Sequence, residues 1–344
     1  MSRYTPKLAL DALIFSCNEI LINVSFSYQT VVGEATHFYL ERALNLKPSL
    51  VPILTPDEVT ELQKVGQFTS YWDLTTAFVM YFVELLPPVP IPTFPSKYHV
   101  PALMAYLQIA GGNLRLDVDS LLEKKNIAQF AQAVADAGGG IDGAHKVLPK
   151  ENRHLLIASG SLTQTNLVVR IFQELYLGAD LFENLYGEPA VIVQSTGYAE
   201  RESLVIDREI LTKISRKVAL GVVSDRSRRE VERSLKAAKI DTFFQTIITL
   251  DDITQAKAKP VPDPWPLLEA ARHLQPTPAR SAYIGANIGD IQAAQAANQT
   301  VPFKAIGCLI GANDKEALQK SFEHYNATVI LGHPNHLQEL ILDS

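Results

Sequence analysis

The chain has 344 residues, 47% hydrophobic and 20% charged, which is the make-up of an ordinary globular protein too long for one small core. No apolar run approaches the roughly 18 residues of a membrane span, so none is expected. A net charge of −6 gives no electrostatic reason to expect nucleic acid or an anionic membrane as partner, though a local basic patch is compatible with it.

The first fifteen residues carry a short apolar stretch broken by Asp11 and no small-residue cleavage site, which speaks against a secretory signal. The two cysteines, Cys17 and Cys308, are too few for a disulfide framework or a four-ligand zinc site. Free thiols suit a reducing compartment, and a cytoplasmic location is expected.

The apolar run 8–15 predicts a buried first strand. The next 200 or so residues lack strand–helix alternation, and they predict an inserted, mainly helical domain over 25–205. Within it, 77–86 and 127–137 have helical spacing. Pro87, Pro88, Pro90, Pro92 and Pro95 mark an extended connection, because proline fixes φ and removes a donor. Gly111 with Gly112, and Gly138 to Gly140, mark further loops.

From 206 onward the alternation resumes. Apolar runs at 218–223, 246–250, 282–285, 303–309 and 327–331 are interleaved with helical patterns at 228–238, 264–274 and 290–297. That pattern predicts an α/β fold: a doubly wound, Rossmann-like parallel sheet built from 1–24 and 206–344. There is no internal repeat and no segment of disordered composition. Such sheets bind ligands beyond the carboxyl ends of their strands, where strand order reverses, so the residues after each run carry the functional information.

Four of those strand ends share one pattern. Lys259-Pro260-Val261-Pro262-Asp263-Pro264 resembles the lysine motif K-P-x-P-D-P of haloacid dehalogenase-type phosphatases, and it follows 247–252, which resembles that family's strand ending in two acids. Val222-Val223-Ser224-Asp225-Arg226 resembles the second motif, a strand ending in Ser or Thr. Phe15-Ser16-Cys17-Asn18-Glu19-Ile20-Leu21 occupies the place of the first motif, F-D-x-D-G-x-L, and 284–290 that of the fourth, G-D-x-x-x-D. The chain therefore resembles the haloacid dehalogenase superfamily over 8–24 and 206–344. The insertion stands where that family places a cap, and 67–75 and 176–188 resemble segments of capped phosphatase-like members.

The resemblance also implies roles. In the family, the first Asp of motif one attacks phosphorus and the second serves as general acid and base. Here Ser16 and Asn18 stand in those positions. A serine hydroxyl is a poor nucleophile without a neighbouring base, and an amide cannot shuttle the proton. The family's magnesium draws on the nucleophilic Asp and on an Asp after the fourth strand; here these are Ser16 and Ala286.

The expectation is thus a degenerate member, a pseudophosphatase with no catalytic residue at Ser16, Asn18 or Ala286 and no cofactor. The groups that hold a phosphate are present: the Ser16 and Ser224 hydroxyls and the Lys259 ammonium, supported by Asp290 and Asp225. A phosphorylated small molecule, or a protein partner on the cap, is the expected ligand. The alternative is a working phosphomonoesterase with Glu19 or Asp225 as base, Asp251 or Asp252 as metal ligand, and magnesium as cofactor.

Each residue also has a plainer reading. Ser224 is a natural helix N-cap, Lys259 an ordinary solvated lysine, and Asp290 suits orienting Lys259 or capping its own helix. Cys17 is a thiol in the loop where chemistry would occur, but no histidine stands near it in sequence to act as base. Tyr71, Trp72 and Asp73 resemble a cap segment facing the active-site loop, while aromatics at that spacing are usually core. The eight histidines lack ligand spacing, and His333 and His336 read as a turn and helix start, so no metal is assigned to them.

Overall fold

The structure is a computed structural model that describes residues 7–91, 93, 99–112, 114 and 116–341. It divides into two compact units, one of Met1–Val24 with Glu202–Ser344 and the other of Ser25–Arg201.

In the first unit the predicted runs form strands β1 (Ala12–Ser16), β4 (Ala219–Val223), β5 (Thr246–Ile248), β6 (Ser281–Gly285), β7 (Phe303–Cys308) and β8 (Val329–Leu331), in the order β5-β4-β1-β6-β7-β8. Every pairing is parallel, with Ala12 facing Ala219 on one side and Ser281 on the other. Strand order therefore reverses at β1. A two-residue antiparallel pair, β2 (Ile22–Asn23) and β3 (Ser203–Leu204), lies just beyond it. The first strand begins at Ala12 rather than at residue 8, because the Leu8 amide is taken by the Leu340 carbonyl instead of by the sheet.

Both faces of the sheet are covered, which is why its strands read as continuous apolar runs. Ile14, Val223, Ile248, Tyr283, Phe303 and Ala305 pack against Leu267 of helix Trp265–His273, Ile291 of helix Ile288–Ala297 and Phe322 of helix Lys315–His324. Alternate residues such as Leu13, Phe15, Leu220, Val222 and Ile284 are equally buried on the opposite face. Helix Arg228–Ala237 carries the chain from β4 outward to β5, in the opposite direction from the crossovers beyond β6, so a right-handed connection sets it on that second face.

The second unit is helical, with helices Tyr28–Phe38, Pro56–Val65, Tyr71–Glu84, Val100–Gly112, Ile127–Asp136, Gly140–Val147 and Leu167–Tyr186 among its elements. Its helix predicted from Ala77 starts instead at Tyr71, because Ser70 caps it by accepting the Asp73 amide. Tyr71 joins an aromatic cluster with Tyr28, Phe172 and Tyr176, and Trp72 donates its indole N–H to Gln173 at 3.3 Å.

Gly111 and Gly112 close a helix rather than form a loop; a Cβ on Gly111 would lie 1.7 Å from the Leu44 carbonyl oxygen, so only glycine permits that approach. Gly138, Gly139 and Gly140 make the turn that was expected, all at positive φ. Pro87, Pro88 and Pro90 lie in an irregular connection pinned by Asn152, whose amide donates to the Val83, Leu86 and Pro87 carbonyls and accepts from the Val89 amide. Pro92 and Pro95 lie outside the described residues. No described helix is long and apolar enough to cross a membrane.

Candidate functional site

The loops after β1, β4 and β6 meet where strand order reverses. β1 ends at Ser16, and the Cys17 amide still donates to the Val223 carbonyl, carrying the chain along β4 for one more residue. The loop then turns sharply at Glu19, whose φ of 68° is left-handed and whose amide donates to the Ile22 carbonyl. Glu19 stands where the resembling motif has glycine, the residue that adopts this conformation without strain. It is buried.

Asn18 donates through Nδ2 to Asp225 Oδ1 at 3.2 Å, joining the ends of β1 and β4, and its own Oδ1 is buried with no hydrogen-bond partner. Ser224 is not a helix cap. The cap of helix Arg228–Ala237 is Ser227, in a reciprocal box with Glu230, while Ser224 Oγ accepts the Arg226 amide at 3.2 Å.

At the end of β6 the buried Asp290 carboxylate accepts from the Tyr283 hydroxyl at 3.0 Å and the Asn287 amide at 2.9 Å, capping helix Ile288–Ala297. A Cβ on Gly285 would fall 2.2 Å from that carboxylate, so glycine is what lets Asp290 tuck against the strand. Burial above all, then the Asp290 charge, drives the Tyr283 phenol well above its usual value, and a hydrogen bond from Ser16 to the phenol oxygen partly opposes this. Ser16, Tyr283 and Asp290 thus form one continuous polar chain. Ala286 is buried and brings no oxygen ligand in its side chain.

Cys17 is fully buried, and its thiol is pushed up to about 11 by desolvation, against the pull of the nearby Arg226 charge. A thiol of that kind is inert at neutral pH. Asp252 accepts two bonds from Arg228 and caps helix Leu250–Gln255 with Thr249, and Asp251 accepts the Arg228 amide. Lys259 is exposed and makes no hydrogen bond or ion pair among the described residues. His333 accepts the Asn335 amide in a turn that includes His336.

Two contributors have no signal in sequence spacing. Arg226 is buried and donates to Glu202 at 2.8 Å and Ser234 at 3.1 Å, a contact between residues 24 apart in the chain. Tyr283 sits in the apolar run of β6, seven residues before Asp290 on the helix that follows, and nothing in that run marks its polar tip. As for magnesium, it demands near-octahedral oxygen ligation and usually takes one or two carboxylates together with waters and substrate phosphate. Asp225 and Asp290 are engaged by Asn18, Tyr283 and Asn287, and no three His, Cys, Asp or Glu among the described residues gather to hold a metal. The two positions from which the resembling family draws its magnesium carboxylates hold Ser16 and Ala286 here, and neither side chain carries a carboxylate.

A parallel sheet of this order, with helices on both faces and the loops after β1, β4 and β6 at the reversal, defines a Rossmann-like α/β fold. Residues 206–303 match the family described as haloacid dehalogenase-like hydrolase. Over 84 residues the chain is 39% identical to pyrophosphatase PpaX of Oceanobacillus iheyensis, covering 24% of this chain and 37% of that protein. Over 74 residues it is 40% identical to pyrophosphatase PpaX of Anoxybacillus flavithermus, covering 22% and 33%. The chain thus spans about a third of the length of these curated relatives.

Its fold is similar to the X-ray structure of a structural-genomics target, at a TM-score of 0.59 and 16% identity over 96% of this chain and 97% of that one. It is also similar to phosphatase Tt82 from Thermococcus thioreducens, at a TM-score of 0.50 and 19% identity over 91% and 99%. Over 206–303 the chain is thus similar to the haloacid dehalogenase-like hydrolases, and over nearly its whole length it shares the fold of these solved structures.

Proposed function

We propose that this protein has given up phosphoryl transfer and keeps its strand-end loops as a site for a phosphorylated small molecule. The observation that carries this reading is the engagement of the motif-one positions by neighbouring side chains: Asn18 donates to Asp225 at 3.2 Å, and Ser16 lies against the Tyr283 phenol. Neither pairing supplies a nucleophile with a base: a phenol shifted upward is a poor proton acceptor at neutral pH, and an amide exchanges no proton in that range. Donors to the two remaining carboxylates lessen their repulsion of an anion. The Ser16 and Ser224 hydroxyls and the loop amides then offer hydrogen bonds, and Lys259 offers charge. The same reading places the protein in the cytoplasm, with the inserted unit as the contact for a protein partner.

The second reading, a working phosphomonoesterase with non-standard residues, is favoured by the pyrophosphatase and phosphatase names of the relatives. Glu19, buried in the motif-one loop, or Asp225 would be its base, with Asp251 or Asp252 as metal ligand. Phosphate release from a panel of phosphoesters and pyrophosphate in the presence of magnesium separates the two. The natural chain is compared with the triple variant Ser16→Asp, Asn18→Asp, Ala286→Asp. Loss of a nucleophile or its partner commonly costs about 10⁴ to 10⁶ in rate, so only the triple variant should turn over. Turnover by the natural chain would favour the second reading.

A further inference from the structure

Charge is unevenly spread along the chain. Residues 208–239 hold ten Lys and Arg against four Asp and Glu, a net of +6 within a chain of net −6, so the remainder carries −12. This stretch folds as helix Arg208–Ser215, then β4, then helix Arg228–Ala237. The two helices bury their apolar stripes, Ile210, Leu211 and Ile214 on the first and Val231 and Leu235 on the second. Their cations are left on the outside.

Arg208, Arg216 and Lys217 are exposed on or just after the first helix, and Arg229, Lys236 and Lys239 on or just after the second. The Arg208 guanidinium donates to the Ala238 carbonyl at 2.8 Å, so the two rows share one surface. The acids there are largely committed: Glu209 pairs with Lys213 at 2.7 Å, and Glu230 is buried in the capping box.

We propose that this face docks an acidic segment of a partner protein. Six exposed cations on or just after two helices no longer than about 15 Å make a compact positive field. A nucleic acid fits it poorly. None of the large exposed hydrophobic side chains lies within 208–239, so no ring is offered for base stacking.

Fluorescence anisotropy of a labelled short polyglutamate peptide against the full chain tests the proposal, with a single-stranded oligonucleotide of equal charge as competitor. Measurements are made at low and at physiological salt. The peptide should bind at low salt and weaken as salt rises. Reversing four charges (Arg216→Glu, Lys217→Glu, Arg229→Glu, Lys236→Glu) should weaken it by at least about tenfold. Should that variant fold poorly by circular dichroism, Lys236→Gln with Lys239→Gln should still cost about threefold. No binding at low salt, unchanged binding by a folded variant, or an oligonucleotide bound as tightly as the peptide would each overturn it.

Discussion

Tyr283 donates its hydroxyl to the Asp290 carboxylate at 3.0 Å, with both side chains buried between β6 and the helix that follows. The acid that motif four retains is thereby a structural group, held by a strand residue and by its own helix N-terminus. Tyr283→Phe removes one of its donors while keeping the ring, and a buried acceptor stripped of a partner costs about 1–3 kcal/mol. Urea unfolding should show the midpoint falling accordingly. An unchanged midpoint would mean that Asp290 is satisfied without the phenol.

Cys17 should be chemically silent. Its folded thiol titrates near 11, so almost none is thiolate at neutral pH, and it is fully buried. Alkylation followed by mass spectrometry should leave Cys17 unmodified in the native chain and label it promptly in denaturant. Prompt labelling of the native chain would return Cys17 to the candidate nucleophiles.

The six strands were legible because a sheet covered on both faces must be written as apolar runs, and the strand-end motifs then placed the loops. Burial did not reveal who pairs with whom. Ser224 and Ser227 lie three apart, and only Ser227 has a glutamate at the reciprocal position, a readable sign that the cap belonged to it. Gly111 looked like a loop because its reason, the Leu44 carbonyl, lies far away in sequence. The same distance hid Asn18 with Asp225 and Arg226 with Glu202. Tyr71, Trp72 and Asp73 mix an acid with aromatics, and that blurred the start of a helix whose signal was the serine before it.

In the inserted unit, Glu174 is the pin of an otherwise irregular loop. Its buried carboxylate accepts the amides of Val191, Ile192 and Val193 and pairs with the buried Arg170. Glu174→Ala strands those donors and removes the inner partner of Arg170, leaving it Glu188 at 3.4 Å and the Pro189 carbonyl. Breaking a buried pair from one side costs about 3–5 kcal/mol. Chemical unfolding should register that loss, and hydrogen exchange should speed up at 191–193. A loss below about 1 kcal/mol would show that the loop is held by other contacts.

Asp73 gives the inserted unit a pH dependence. Burial, with the Asp142 charge as the smaller cause, pushes its carboxyl up from 3.8 to about 6. Between those values the folded chain keeps a proton that the unfolded chain has lost. The contribution to stability is therefore fully present below 3.8 and is lost as pH rises through about 6, above which folding must bury a charge. Asp73→Asn removes that penalty. Relative to the natural chain it should be more stable by up to about 3 kcal/mol above the folded value, with the advantage vanishing at acid pH. Asp142→Asn should show a smaller gain over the same window. Unfolding measured across a pH series settles the matter: an advantage that is flat with pH, or that grows toward acid, would rule out a raised Asp73 as its source.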